Sequence, residues 1–109
     1  MRILENWDRL TYAYQIVEIG TETQRAMRYK RDGKAYESVY KLALKLFELT
    51  IDDPKNSEMI PTLNEMKSKF VDFMSGNMSE ELEKEITDFG DSEMDNYIEE
   101  LRRENRPEL

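Results

Sequence analysis

The fold is decided by residues 34–50, which read KAYESVYKLALKLFELT. Apolar side chains recur there every three or four residues, which is the repeat of an α-helix and differs from the two-residue alternation of a half-buried strand. They cover most of the circumference of the predicted helix, and a helix that is apolar on most sides is buried on most sides. The sequence therefore predicts a central helix that contacts several neighbours.

Leu42, Leu44 and Leu49 widen this apolar face beyond what a small bundle covers on one side. Apolar surface of that width, if left uncovered, is typical of a contact between subunits. We therefore expect a homo-oligomer, specifically a dimer, with Leu42 and Leu49 as its contact residues.

Two further apolar stripes flank the central segment. The first predicts a helix over about residues 6–31, with Asn6 as its N-cap. Gly20 lies inside it, and the sequence leaves open whether this glycine interrupts the helix or lets a neighbouring helix approach closely. A third helix is predicted over about residues 57–75, after a stop at Pro54.

The remaining chain predicts two short helices. The first begins at Asn77 or Ser79 and is closed by Gly90, and the second is capped by Asp91 or Ser92. Their apolar positions are Leu82, Ile86 and Phe89 in the first, and Met94, Tyr97, Ile98 and Leu101 in the second.

The predicted fold is therefore all-α, a small bundle of four to five helices in a single domain over residues 1–109. An up-down three-helix core occupies about residues 6–75. A short, acidic C-terminal helical hairpin occupies about residues 78–104.

Charge is divided unevenly along the chain. The 109 residues carry 16 basic and 24 acidic side chains, a net charge of −8. Residues 1–50 hold nine basic and seven acidic side chains, whereas residues 79–109 hold four basic and twelve acidic ones. The acidic last third is expected to face solvent, to imitate a phosphate backbone for a basic partner, or to fold back on the basic turn described below.

The composition argues against an enzyme. Histidine and cysteine are both absent, which removes the commonest general base, thiolate nucleophiles and the usual zinc ligands. Ser38 and Lys41 match the Ser-x-x-Lys spacing of penicillin-binding enzymes, but the partner motifs of that chemistry are missing. The acidic run from Asp91 begins like an EF-hand loop, yet Arg102 stands where a bidentate glutamate is required. We expect no catalytic activity, no bound metal and no cofactor.

Five basic side chains gather within ten residues at the predicted C-terminus of the first helix. Tyr29 and Tyr36 are interleaved with them, an arrangement that can hold phosphates and stack bases. Cations at a helix C-terminus also complement the helix dipole without any ligand, so helix stability alone explains the same pattern. The predicted binding patch, called the basic turn below, consists of Arg25, Arg28, Lys30, Arg31 and Lys34.

These observations favour a helical module that binds other proteins through a helical face or its acidic tail. The alternative is a nucleic-acid-associated factor that uses the basic turn, which the acidic overall balance disfavours. The lack of cysteine fits a reducing compartment, and no apolar run has the length of a signal peptide or a membrane span. We expect a cytoplasmic protein with a protein partner that the sequence does not identify, and no membrane association.

Overall fold

The structure, a computed structural model, describes residues 6–105, apart from the side chains of Glu93, Met94, Tyr97, Glu100, Leu101, Glu104 and Asn105. Its helices are α1 (Tyr12–Arg31), α2 (Glu37–Asp52), α3 (Ile60–Met74) and α4 (Glu80–Asn105), with short 3-10 segments at Trp7–Arg9 and Pro54–Met59. The described range contains no strand. The predicted all-α bundle is confirmed.

The first helix begins later than predicted. Asn6 makes no side-chain cap, and Leu10 adopts extended backbone between the first 3-10 segment and α1. Thr11 caps α1 instead, because its Oγ1 accepts a hydrogen bond of 3.1 Å from the Tyr14 amide. The early turn directs Trp7 into the bundle, where it is only 3 % exposed.

Residues 80–105 form one helix, so the predicted break at Gly90, and with it the hairpin, is wrong. Ser79 caps α4, since its Oγ accepts a hydrogen bond of 3.1 Å from the Leu82 amide. The helix continues through Gly90 without a positive φ. Gly90 lies against Gly20 of α1 instead, and a Cβ built on Gly90 would be 3.5 Å from the Gly20 Cα.

Gly20 also stays helical, so the close approach of a neighbouring helix is the role of this position. The glycine contact and an ion pair between Arg31 and Glu83 show that α1 and α4 run antiparallel. Their pairing is the most extensive in the bundle, followed by that of α1 with α2. The apolar positions predicted at Met94, Tyr97 and Leu101 lie outside the described side chains.

The core draws on all four helices. In α4, Ile86 is 4 % exposed, and Leu82 and Phe89 pack against the same cluster. The last helix is therefore part of the core itself and not an addition to three helices. No helix in the described range is both long and apolar enough to cross a membrane. The buried cluster comprises Trp7, Ile16, Ile19, Ala26, Met27, Ala43, Leu46, Phe47, Leu63, Met66, Phe70, Phe73, Met74 and Ile86.

Candidate functional site

The basic turn lies at the C-terminal end of α1, but several of its cations already have partners within the chain. Arg25 pairs with Glu22 at 3.3 Å. Lys30 donates a hydrogen bond of 3.2 Å to the Tyr36 hydroxyl, and its Nζ lies 4.5 Å from the centre of that ring. Fewer cations are therefore available to a ligand than the sequence indicates.

Arg31 joins α1 to the first turns of α4. Its Nη1 pairs with Glu83, and its Nε lies 3.9 Å from Asp32. The hydrogen bond to Glu83, followed by the charge of that carboxylate, raises the pKa of Arg31. A cation near the C-terminus of α1 and an anion near the N-terminus of α4 each complement a helix dipole. One direct ion pair thus joins the acidic last third to the basic turn.

Arg28 and Lys34 remain open to solvent beside the Tyr29 ring. The Arg28 Cζ lies 5.9 Å and the Lys34 Nζ 6.0 Å from the ring centre, both near the outer limit of a cation–π contact. Both residues are exposed, and neither forms an ion pair within residues 6–105. These two cations are what the basic turn offers to a ligand.

A groove follows the line of contact between α1 and α4, and we call it the seam groove. Two clefts of about 200 and 230 Å³ lie between the two helices and share Gln24. A shallow cleft of about 300 Å³, lined by α4 residues alone, adjoins the second of them at Glu83 and Thr87. Gly20 and Gly90 line one end, where neither has a side chain to fill the space. The other lining residues are Val17, Thr21, Met27, Arg28, Arg31, Glu80, Lys84, Asp88 and Asp91.

The seam groove is long, and most of its lining residues have polar side chains, although more than half of the surface that they expose in it is apolar. From Val17 to Arg31, α1 spans roughly 21 Å at about 1.5 Å per residue, which is the length of an extended segment of about six residues. Arg28 and the Arg31–Glu83 pair lie toward one end, and Asp91 lies at the glycine end. No three acidic, histidine or cysteine side chains within the described residues gather into a group that could hold a metal ion.

A second polar cluster lies inside the bundle, and the sequence analysis missed it. The fully buried Gln15 donates through its Nε2 to the Trp7 carbonyl at 2.7 Å and to Asp53 Oδ2 at 3.1 Å. Its Oε1 accepts a hydrogen bond of 2.9 Å from Asn56, which also donates to the Thr50 carbonyl at 2.9 Å. The Trp7 indole donates to Thr50 Oγ1 at 2.9 Å. Most of these bonds join residues far apart in the chain, so no local pattern reveals the cluster.

Asp53 is the charged member of this buried cluster, and it is 8 % exposed. Its carboxylate accepts hydrogen bonds from the Lys55 Nζ, from the Lys55 amide at 3.2 Å and from Gln15. Burial opposes ionisation of the carboxyl group, but these hydrogen bonds outweigh it and hold the pKa of Asp53 below its ordinary value. Because its groups bond chiefly to one another, we assign the cluster to stability and not to ligand binding.

Leu42 and Leu49, the predicted dimer contacts, are partly buried against the core cluster, as is Leu44. Much of the apolar surface that motivated a dimer on α2 is therefore covered within the chain. The most exposed large apolar side chains among the described residues lie elsewhere: Tyr14 and Ile98 are each 40 % exposed, and Met78 is 46 % exposed.

Comparison with known proteins returned no relative. No protein-family model matches the chain, and no curated protein or solved structure is similar enough to count as a match. The fold and the seam groove define a small all-α bundle with an interhelical groove.

Proposed function

We propose that this chain is a non-enzymatic, cytoplasmic interaction module that binds an extended segment of a partner protein in the seam groove. The observation that carries the proposal is the continuity of two clefts between α1 and α4, which a shallow cleft on α4 extends. Small-molecule sites are usually compact cavities lined mainly by apolar side chains. A long groove with polar groups along both walls suits a chain of peptide units that need hydrogen-bond partners at regular intervals.

The charges along the groove favour a particular kind of segment. Arg28, in the basic turn, is exposed and has no ion pair within residues 6–105, so it attracts a carboxylate. Asp91 at the glycine end repels one. Complementary charge of this kind fixes the direction in which a partner binds. We expect a segment that places an acidic side chain at Arg28 and a neutral or basic one at Asp91.

Photo-crosslinking tests the proposal. A photoreactive side chain replaces Thr21, which is exposed in the groove, and the matched control replaces Lys45, which is exposed on α2. In the native cell we expect a protein adduct from position 21 alone, and we expect Arg28→Glu to reduce its yield severalfold. Equal adducts from both positions, or an adduct insensitive to Arg28→Glu, would contradict binding in the groove.

Nucleic-acid binding is the second candidate, and one observation favours it. The exposed cations of Arg28 and Lys34, which precede and follow Tyr29 in the sequence, both lie near the Tyr29 ring. If these two cations each contact one phosphate, a plot of the logarithm of the binding constant for duplex DNA against the logarithm of the salt concentration has a slope of about −1.8. If the purified chain binds DNA with such a slope and Arg28→Glu abolishes the binding, this candidate replaces the first.

A further inference from the structure

The half of α4 beyond Gly90 extends past the helix that it packs against. From the Gly20–Gly90 contact, α1 continues for eight residues to Tyr12, whereas α4 continues for fifteen residues to Asn105. The difference of seven residues corresponds to about 10 Å of helix at 1.5 Å per residue. This end of α4 therefore has surface that α1 does not cover.

An exposed stripe on this half of α4 carries an apolar side chain between charges of opposite sign. Asp95, Ile98 and Arg102 follow one another at spacings of three and four residues, so they lie on one face of the helix. All three are exposed, Ile98 to 40 %. Asp95 is nine residues from the buried Ile86, which places it on the opposite side of the helix from the core.

The two charges of the stripe have no partner within the described chain. Neither Asp95 nor Arg102 forms an ion pair among residues 6–105. They cannot pair with each other, because seven residues separate them by about 10 Å along the helix axis. Both are exposed on the face of α4 that a second molecule would approach.

We infer that this stripe binds a second copy of the chain, with the two α4 helices antiparallel. A two-fold axis between Ile98 and Glu99 brings Asp95 of each copy opposite Arg102 of the other, so that two ion pairs form. The same axis brings the two Ile98 side chains together between those pairs. Such self-complementarity is what an isologous interface requires. The order of charges along the stripe is thus complementary to that of a second, antiparallel copy of the same helix, which is why we infer that the partner is another copy of the chain.

Tyr14 supplies apolar surface at the same end of the bundle. It lies about 9 Å from Gly20 along α1, and Ile98 lies about 12 Å from Gly90 along α4 in the same direction. Both side chains are 40 % exposed. One helix face and a tyrosine at the same end of the bundle form an interface smaller than the roughly 1,200 Å² of stable complexes, so we expect a weak dimer.

Sedimentation of the full chain tests this inference. We expect dimerisation within a range of about 10 to 500 μM, the regime of small interfaces. Arg102→Glu and Asp95→Lys each place like charges in both pairs and should weaken association at least tenfold. The double variant, with the charges exchanged, should restore the wild-type constant to within about threefold. Arg103→Glu is the matched control, because it makes the same charge change about 100° away around the helix.

Each alternative result overturns the inference. A wild-type chain that stays monomeric throughout the range excludes the dimer. If Arg102→Glu and Arg103→Glu weaken dimerisation equally, the loss comes from repulsion between net charges and not from the proposed ion pairs. A double variant that dimerises more weakly than either single variant would exclude the proposed pairing of Asp95 with Arg102. A dimer that Leu42→Lys disrupts and Arg102→Glu does not would place the contact on α2, provided that circular dichroism shows both variants folded. None of these results bears on the seam groove, because the stripe and the position 21 crosslink report on different surfaces.

Discussion

Gln15 connects three parts of the chain through its side-chain amide, and it is the best single position at which to test the buried polar cluster. Gln15→Ala leaves the Trp7 carbonyl, the Asp53 carboxylate and Asn56 each without one partner. Unpaired buried groups of this kind cost about 1–3 kcal/mol each, partly relieved by water. We expect urea denaturation to give a free energy of unfolding lower by about 2–4 kcal/mol. Gln24→Ala, in the seam groove, is the control and should change it by less than about 0.5 kcal/mol.

Asp53 should make stability depend on pH in the acid range. The pKa of its carboxyl group is lowered in the folded state, so the stabilisation that it provides is complete above the unfolded value of about 3.9. That stabilisation is lost as the pH falls through the lower, folded-state pKa. Asp53→Asn should therefore be less stable than the wild type near neutral pH and should lose less stability on acidification. Parallel slopes of unfolding free energy against pH for the two proteins would contradict the assignment.

The basic turn illustrates what a sequence can and cannot establish about single side chains. Its position at the end of α1 follows from local signals, the helical stripe and the residues that follow it. The partners of its cations do not, because Glu83 lies 52 residues from Arg31. The same limit applies to Gln15 and Asp53, which are 38 residues apart. A helical pattern predicts the face on which a polar residue lies, but not the group that it meets there.

Helix α4 continues through Gly90, and the reason lies in the two roles that a glycine can have in a helix. It ends a helix when the backbone needs a positive φ, as at Gly33 and Gly76, and it admits a close neighbour when the backbone stays helical, as at Gly20 and Gly90. Sequence alone cannot separate these uses, since the second depends on a residue in another helix. For this reason the all-α class and the first three helices were predictable, whereas the continuity of α4 was not.

The contact between the two glycines leaves room for one methyl group. A Cβ on Gly20 would lie 3.6 Å from the Gly90 Cα, which is an ordinary van der Waals distance. Gly20→Ala should therefore gain the helix propensity of alanine, about 0.5–1 kcal/mol, without separating the helices. Gly90→Leu should lose about 2–3 kcal/mol through overpacking. Thermal unfolding measures both, with Ser92→Leu, at an exposed position of the same helix, as the control. Destabilisation by Gly20→Ala would mean that the helices lie closer than described.

The bundle as a unit combines an acidic helix and a basic helix end, and the Arg31–Glu83 pair lies where they meet. Removing α4 would also remove Ile86 from the core, so a truncation cannot test whether the acidic helix masks the basic turn. Glu83→Gln can, because it removes the charge that pairs with Arg31 from α4, leaves Asp32 as the remaining acidic neighbour of Arg31 among the described residues, and keeps the apolar contacts in place. We expect about threefold tighter binding of duplex DNA at low salt, as one added phosphate contact provides.

The control for this masking test is Glu81→Gln, which changes the net charge equally at an exposed position without an ion pair among the described residues. Fluorescence anisotropy over a series of salt concentrations measures both variants. An equal gain from the two would assign the effect to net charge and exclude masking by Glu83.

Gly20 and Gly90 touch although 70 residues separate them, and this separation determines when α1 can acquire its main partner. During translation α1 leaves the ribosome first, and at about 5–20 residues per second α4 follows roughly 4–14 s later. Until then α1 has only α2 and α3 as neighbours, and the face that later packs against α4 has no partner helix. Closing so long a loop late in synthesis raises the contact order of an otherwise local helical fold. In the nascent chain, the face of α1 that packs against α4 therefore stays uncovered until α4 has been made.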